Sequence, residues 1–224
     1  MKYFLFVVLL CAALSSLQAE PDAGQILAAA RMNPLGDQIV LNARLRADAT
    51  VVPFKIQVRD GTVSYVFENP EQEIILGLGE KSATLTERRG GKTSPVSPAR
   101  YDDSVRGGLL SYEDLALRFL YWPNAKLLGD ETIRSRQAYK IEIAAPQTES
   151  EYGAVRLWVD KESGALLRIE GYNKDGKLAK RFEVVSAQKL DGQWMLKQMR
   201  VERLDPETRK VTGRTYLEVT GKAN

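Results

Sequence analysis

Apolar and polar side chains alternate with a period of two along most of the chain, the signature of strands with one covered face. In the first half the alternation runs over 39–46, 52–59, 63–67 and 74–78, with a weaker stretch over 83–88. Asp60-Gly61 and Asn69-Pro70 are tight-turn pairs between these runs, so the five strands read as an antiparallel meander. In the second half the runs fall at 126–133, 139–143, 155–160, 167–172, 182–184, 194–204 and 211–219. Turns at Lys161-Glu162-Ser163-Gly164, Asn173-Lys174-Asp175-Gly176, Asp191-Gly192 and Asp205-Pro206 separate several of them. The two halves make eleven or twelve strands, and antiparallel sheets of that width curl or close.

The period changes to that of a helix in two places. Residues 22–32 place Ala23, Ile26, Leu27 and Ala30 on one face, with Asp22 as N-cap and Asn33, Pro34 and Gly36 as the stop. Residues 109–123, LLSYEDLALRFLYWP, are the one strongly helical stretch in mid-chain. Ser111 and Asp114 have capping-box spacing, Leu110 and Leu115 can form a staple, and Pro123 ends the run. Leu115, Phe119, Leu120 and Trp122 give this helix a broad apolar face that needs a partner. Before it, 90–108 carries Gly90, Gly91, Pro95, Pro98, Gly107 and Gly108 and reads as a long loop, either a flexible connection or a hinged flap.

Residues 1–19 have the form of a signal peptide: Lys2, an apolar run from Phe4 to Leu14 too short to span a bilayer, and a small-residue exit with cleavage expected after Ala19. Cys11, the single cysteine, lies inside that run, so the mature chain is expected to have neither disulfide nor thiol chemistry. Loss of Lys2 takes the basic count from 32 to 31 against 29 acidic residues. The basic residues are scattered, which gives no nucleic-acid footprint. The sequence contains no histidine. That removes the commonest general base, the usual partner of a catalytic serine and the usual zinc ligands. No linker or repeat divides residues 20–224, which read as one domain.

Some residue pairs resemble chemistry. Glu113-Asp114 and Asp102-Asp103 are vicinal acids that could share a proton or bind a cation. Asp114 is more simply the partner of Ser111, and adjacent helical side chains diverge. Ser163 sits in a turn with no histidine to activate it. Trp158 alternates with Val155, Leu157 and Val159 onto the opposite face, where Arg156 and Arg168 are its expected neighbours. The larger question is what covers the apolar face of the sheet. Two helices of about ten residues are each about 15 Å long, and eleven strands span roughly 50 Å. They under-fill such a surface, so an apolar cavity is expected between helices and sheet.

The chain resembles a known family at this point. The segment Leu110-Ser111-Tyr112-Glu113-Asp114-Leu115 between two meanders, and the run AVRLWVDKESGALLRI over 154–169, are similar to the periplasmic outer-membrane lipoprotein-sorting proteins of the LolA/LolB-like carrier fold. The resemblance implies an α+β, mainly β fold: a curved, incomplete antiparallel barrel of about eleven strands, with a few short helices over the concave face. It also implies a periplasmic, non-enzymatic carrier that shelters the acyl chains of lipoproteins or other lipids and passes them toward the outer membrane. A lipid- or lipoprotein-sensing scaffold on the same fold is the alternative.

The side chains expected to line the cavity are Phe54, Ile56, Val58, Tyr65, Phe67, Ile74, Leu76, Leu115, Phe119, Trp122, Tyr139, Ile141, Val155 and Leu157. No cofactor or metal is expected. The expected partners are acyl chains or free lipid and membrane-bound donor and acceptor proteins, with the carrier itself a monomer. An integral outer-membrane barrel is disfavoured, because the chain lacks aromatic girdles and has a helix in its middle.

Overall fold

The computed structural model describes residues 21–31, 38–146 and 150–223. The expected signal peptide, Cys11 and the stop at Asn33, Pro34 and Gly36 lie outside them. Helix α1 is Ala23–Arg31, with Asp22 accepting from the Gly24 N–H at 3.1 Å. Six strands follow: β1 Gln38–Ala47, β2 Thr50–Arg59, β3 Thr62–Phe67, β4 Gln72–Leu78, β5 Ala83–Arg89 and β6 Lys92–Pro95. A connector holding the short helix α2, Tyr112–Ala116, leads to the second set. This is β7 Lys126–Ile133, β8 Arg136–Ala144, β9 Ala154–Asp160, β10 Leu166–Tyr172, β11 Leu178–Leu190, β12 Gln193–Leu204 and β13 Val211–Lys222.

All thirteen strands form one antiparallel sheet in the order β6-β5-β4-β3-β2-β1-β13-β12-β11-β10-β9-β8-β7. The two meanders join through the first and last strands, with Leu41 opposite Lys222 and Leu45 opposite Leu217. β6 and β7 are free edges, so the barrel is incomplete, in agreement with the expected fold. The count exceeds the expected eleven or twelve because Lys92–Pro95, read as loop, pairs with β5 as an edge strand. Its proline and lack of alternation hid it, and both are edge-strand features. The aspartate–glycine turns are as expected: Asp60 and Gly61 have φ of 48° and 71°, and Asp191 and Gly192 have 50° and 80°.

This topology dictates what the connector does. β6 and β7 are consecutive in sequence but sit at opposite edges of the sheet. Laid flat, twelve strand spacings amount to on the order of 58 Å. Residues 96–125 must therefore cross from one edge to the other, and they do so over the apolar face. Leu41, Phe54, Phe67, Ile74, Ile141, Val155, Leu157, Phe182 and Val201 of the sheet are buried in one core with Val105, Leu110, Leu115, Phe119 and Trp122 of the connector and Ile26 and Leu27 of α1.

The opposite face is ionic, with one small apolar island. Trp158 is 2% exposed there, packed with Ile133, Ala138 and Leu167. The cations over its ring are Lys140 at 5.2 Å and Arg168 at 5.5 Å. The expected neighbour Arg156 instead pairs with Glu142 at 2.7 Å and lies over Tyr172. β8 and β9 are in register at Lys140 and Trp158, which brings the lysine to the indole.

One glycine marks where a loop side chain docks on the sheet. The Tyr152 ring lies against Gly171 of β10, so a Cβ there would fall 2.3 Å from Tyr152 Cε1. Gly171→Ala is expected to displace the ring and lower stability by about 2–3 kcal/mol through overpacking and a lost buried hydrogen bond. The check is a urea midpoint that falls with no change in slope.

Candidate functional site

The connector is tied to the sheet by the side chains of Ser111-Tyr112-Glu113-Asp114, all of them buried. The capping box is present as expected. Ser111 Oγ accepts from the Asp114 N–H at 3.2 Å, and Asp114 Oδ2 accepts from the Ser111 N–H at 2.9 Å. Acids in this first turn also suit the helix dipole. Capping accounts for only part of the motif, because each of the last three residues also reaches a different partner in the sheet or its loops.

Tyr112 reaches the wing formed by β4 and β5. Its hydroxyl donates to Glu87 and accepts from Gln72 Nε2 at 3.0 Å and Arg100 Nη2 at 3.1 Å. Glu87 is 5% exposed. Burial pushes its pKa up, but donors on Tyr112, Arg100, Gln72 and Arg89 outweigh that and hold it down at about 2.

Asp114 reaches the other wing. Its Oδ1 accepts from the Tyr152 hydroxyl at 2.6 Å and its Oδ2 from Lys180 Nζ of β11 at 2.9 Å. Lys180 also donates to Glu151 at 2.8 Å. Burial disfavours the Lys180 charge, yet these two carboxylates raise its pKa above the ordinary lysine value.

Glu113, with no solvent exposure, accepts from Ser150 Oγ at 2.7 Å. Arg118 Nη1 stands 3.8 Å from its other oxygen. Burial dominates here and lifts its pKa to about 7.

Further contacts bind residues 100–110. Arg106 donates to the Pro70 carbonyl at 2.6 Å and stacks on Phe67 at 4.6 Å. The Leu109 N–H donates to Thr215 Oγ1 at 3.1 Å, and Asp102 accepts from the Glu151 N–H at 3.2 Å. The long loop is therefore a fastened strap along one end of the sheet. It includes a 3-10 turn, Pro98–Arg100, and two buried valines, Val96 and Val105.

The helix after the motif is shorter than the sequence suggests. α2 ends at Ala116, Leu117 takes the left-handed conformation at φ 48°, and a 3-10 turn over Arg118–Tyr121 follows. A left-handed leucine has no sequence signature of the kind glycine or asparagine gives. The kink still lays Leu115, Phe119 and Trp122 on the core. Arg31 of α1 holds the far end, donating to the Leu120 carbonyl at 2.9 Å and stacking on Tyr121.

The structure brings all fourteen expected lining residues into this one core. Eleven are buried, while Val58, Tyr65 and Tyr139 are half-buried. They pack against one another and the connector; Phe54 stacks on Phe67 at 5.0 Å, and Tyr65 donates to the Leu115 carbonyl at 3.4 Å. Two open concavities among the described residues are lined by charged and polar side chains. One, of about 440 Å³, lies around Arg44, Lys197 and Glu218, and the other, of about 220 Å³, lies between β5 and β6.

The acid pair Asp102-Asp103 is spent on the Glu151 N–H and on Arg100. Among the described residues no group of three or more acids is placed to hold a metal. Ser163 is a turn residue whose N–H, with that of Glu162, is held by the buried Asp160.

Sequence reasoning missed Glu87, Tyr152 and Lys180. A signal existed for two of them, since Glu87 follows Leu85, and Lys180 lies between Leu178 and Phe182, in core-facing register.

A family model described as an uncharacterized protein matches residues 90–221. The chain belongs to that family. Its matched region begins at the β5–β6 turn and takes in the whole connector and the second meander. Comparison with curated proteins finds no match.

Solved structures share the fold. A DUF1329 family protein from Desulfovibrio piger is 20% identical, with 88% of this chain and 90% of that chain covered and a TM-score of 0.66. A domain named as an outer membrane lipoprotein-sorting protein from Vibrio parahaemolyticus is 16% identical, with 90% and 91% covered and a TM-score of 0.70. A LolA superfamily protein from Nitrosomonas europaea is 17% identical, with 90% and 93% covered and a TM-score of 0.64. At these identities the likeness is one of fold, and it agrees with the carrier fold inferred from the sequence.

Glu113 generates a prediction with a definite sign. The folded chain holds its proton up to about pH 7, whereas the unfolded chain releases it near 4.5. Stability from this group is therefore present at low pH and lost as pH rises toward 7, with no further change above. Glu113→Gln, which keeps a hydrogen bond to Ser150, is expected to exceed the wild type in stability at pH 8 by on the order of 2 kcal/mol. The difference should vanish near pH 4.5, which denaturant unfolding at the two pH values measures.

Proposed function

We propose that the protein is a non-enzymatic periplasmic carrier whose sheet face binds acyl chains of a lipoprotein or another lipid and passes them toward the outer membrane. One observation carries this reading. The apolar face is covered by one short helix, α1, and by a crossing segment held by polar ties to both wings. Apolar contacts are non-directional, so Leu115, Phe119 and Trp122 can exchange sheet contacts for acyl-chain contacts at little cost. Each buried methylene contributes about 0.8 kcal/mol, the scale on which a long acyl chain competes with these side chains for the sheet. The polar ties supply a return position with a defined geometry, and a donor and an acceptor at the two membranes would complete the transfer.

The mature chain is expected to bind a fluorescent fatty acid. Leu115→Asp or Phe119→Asp should weaken that binding by at least about tenfold, because a carboxylate then faces the chain. Circular dichroism confirms that the variants fold. Absence of binding by the wild type, or equal binding by a folded variant, overturns the reading.

A further inference from the structure

The hairpin of β5 and β6 forms a small polar cleft at the edge of the covered face. Antiparallel register sets Glu87 opposite Ser94 and Arg89 opposite Lys92, so the four side chains share one face. They line an open groove of about 220 Å³. Charge in and around the cleft is out of balance. Arg89 and Lys92 line the cleft with Glu87, Arg100 reaches Glu87 and Asp103, and Arg106 is near enough to Arg89 for their charges to repel.

Glu87 has no capacity left, since it already accepts from Gln72, Tyr112, Arg89 and Arg100. Its role is to aim two guanidinium groups. Arg89 Nε is held at 2.8 Å and Arg100 Nη1 at 3.0 Å, while 59% of the Arg89 side chain stays exposed. Among the described residues the Lys92 ammonium has no ion-pair or hydrogen-bond partner. The buried Nε of Arg106 makes no hydrogen bond, and the Arg106 guanidinium rests on the ring of Phe67, a core residue. Guanidinium groups held in place beside a free ammonium and a free hydroxyl suit a tetrahedral oxyanion.

We propose that this cleft binds a phosphate-type anion, carried by the head of an amphiphilic ligand or present as the free ion. Arg106, near enough to Arg89 for their charges to repel, rests on Phe67 of the apolar core, the direction in which the tail of an amphiphile would continue. Assignment to a lipid head rests on the carrier reading, whereas anion binding does not.

The test is titration calorimetry on the mature chain with three probes: inorganic phosphate, dihexanoyl phosphatidylglycerol and the uncharged dihexanoylglycerol. The variants are Lys92→Gln/Ser94→Ala and Arg89→Gln, with Lys189→Gln as a distant control. Lys92 and Ser94 hold no other part of the fold, so the first variant keeps the proposal testable if Arg89→Gln does not fold. The phosphatidylglycerol is expected to bind the wild type and the control equally and to lose about tenfold or more in the variants, with a strong dependence on salt.

Parallel loss of inorganic phosphate assigns the cleft to the anion itself. If phosphate binds and neither lipid does, the anion site stands and the carrier reading fails. If both lipids bind with affinities unchanged in the variants, the carrier reading stands and this proposal is overturned.

Discussion

The hydrogen bonds from Tyr112 to Glu87 and from Tyr152 and Lys180 to Asp114 are the constraint on which the rest depends. A sheet that leaves its two edges free, and places consecutive strands at those edges, needs a segment thrown across its face. Apolar contact alone would let that segment slide, because such contact has no preferred direction. The buried polar groups of α2 fix its position. Removal of one partner would leave a buried charge or hydroxyl unpaired, which costs far more than the bond contributes net.

The outer face solves the complementary problem. A wide sheet covered on one side must be soluble on the other and must resist register slip. Here the solution is a lattice of cross-strand ion pairs. Glu218 of β13 takes Arg46 of β1 at 2.9 Å and Gln198 of β12 at 2.8 Å, and Glu202 of β12 takes Arg214 of β13 at 2.9 Å. Glu183 of β11 takes Arg200 of β12 at 2.6 Å and Arg168 of β10 at 3.3 Å. Burial raises the pKa values of Glu183 and Glu218, and the arginines outweigh it, so both carboxyls lie below their ordinary value. Each ion pair joins a buried carboxylate to a partly exposed arginine, and a one-residue slip would break all of them together. The inner face is thereby left free to be apolar.

Much of this was legible in the sequence because strand alternation and turn chemistry are local. β7 has the bounds that its residues suggest, and Ser111 and Asp114 cap as their spacing requires. The eleven strand side chains picked for the apolar face share one core because period-two register assigns faces without knowledge of strand order, and helical spacing adds Leu115, Phe119 and Trp122. What was not legible is non-local or lacks a residue signature. The partners of Tyr112, Glu113 and Asp114 lie 25, 37, 38 and 66 positions away. The break at Leu117 uses a residue with no left-handed preference, and the edge strand Lys92–Pro95 does not alternate. The burial of Glu113 follows from the return of the loop before β9 onto α2, which no local pattern encodes.

Whether the covered face accepts a lipid separates a carrier from a plain core. Native mass spectrometry of residues 20–224, purified without detergent and then incubated with phospholipid vesicles, reports occupancy and ligand mass together. A carrier gives a species heavier than the polypeptide by the mass of one acyl-bearing molecule, which is lost when Phe119 is replaced by aspartate. A bare polypeptide mass both before and after incubation would contradict the carrier reading.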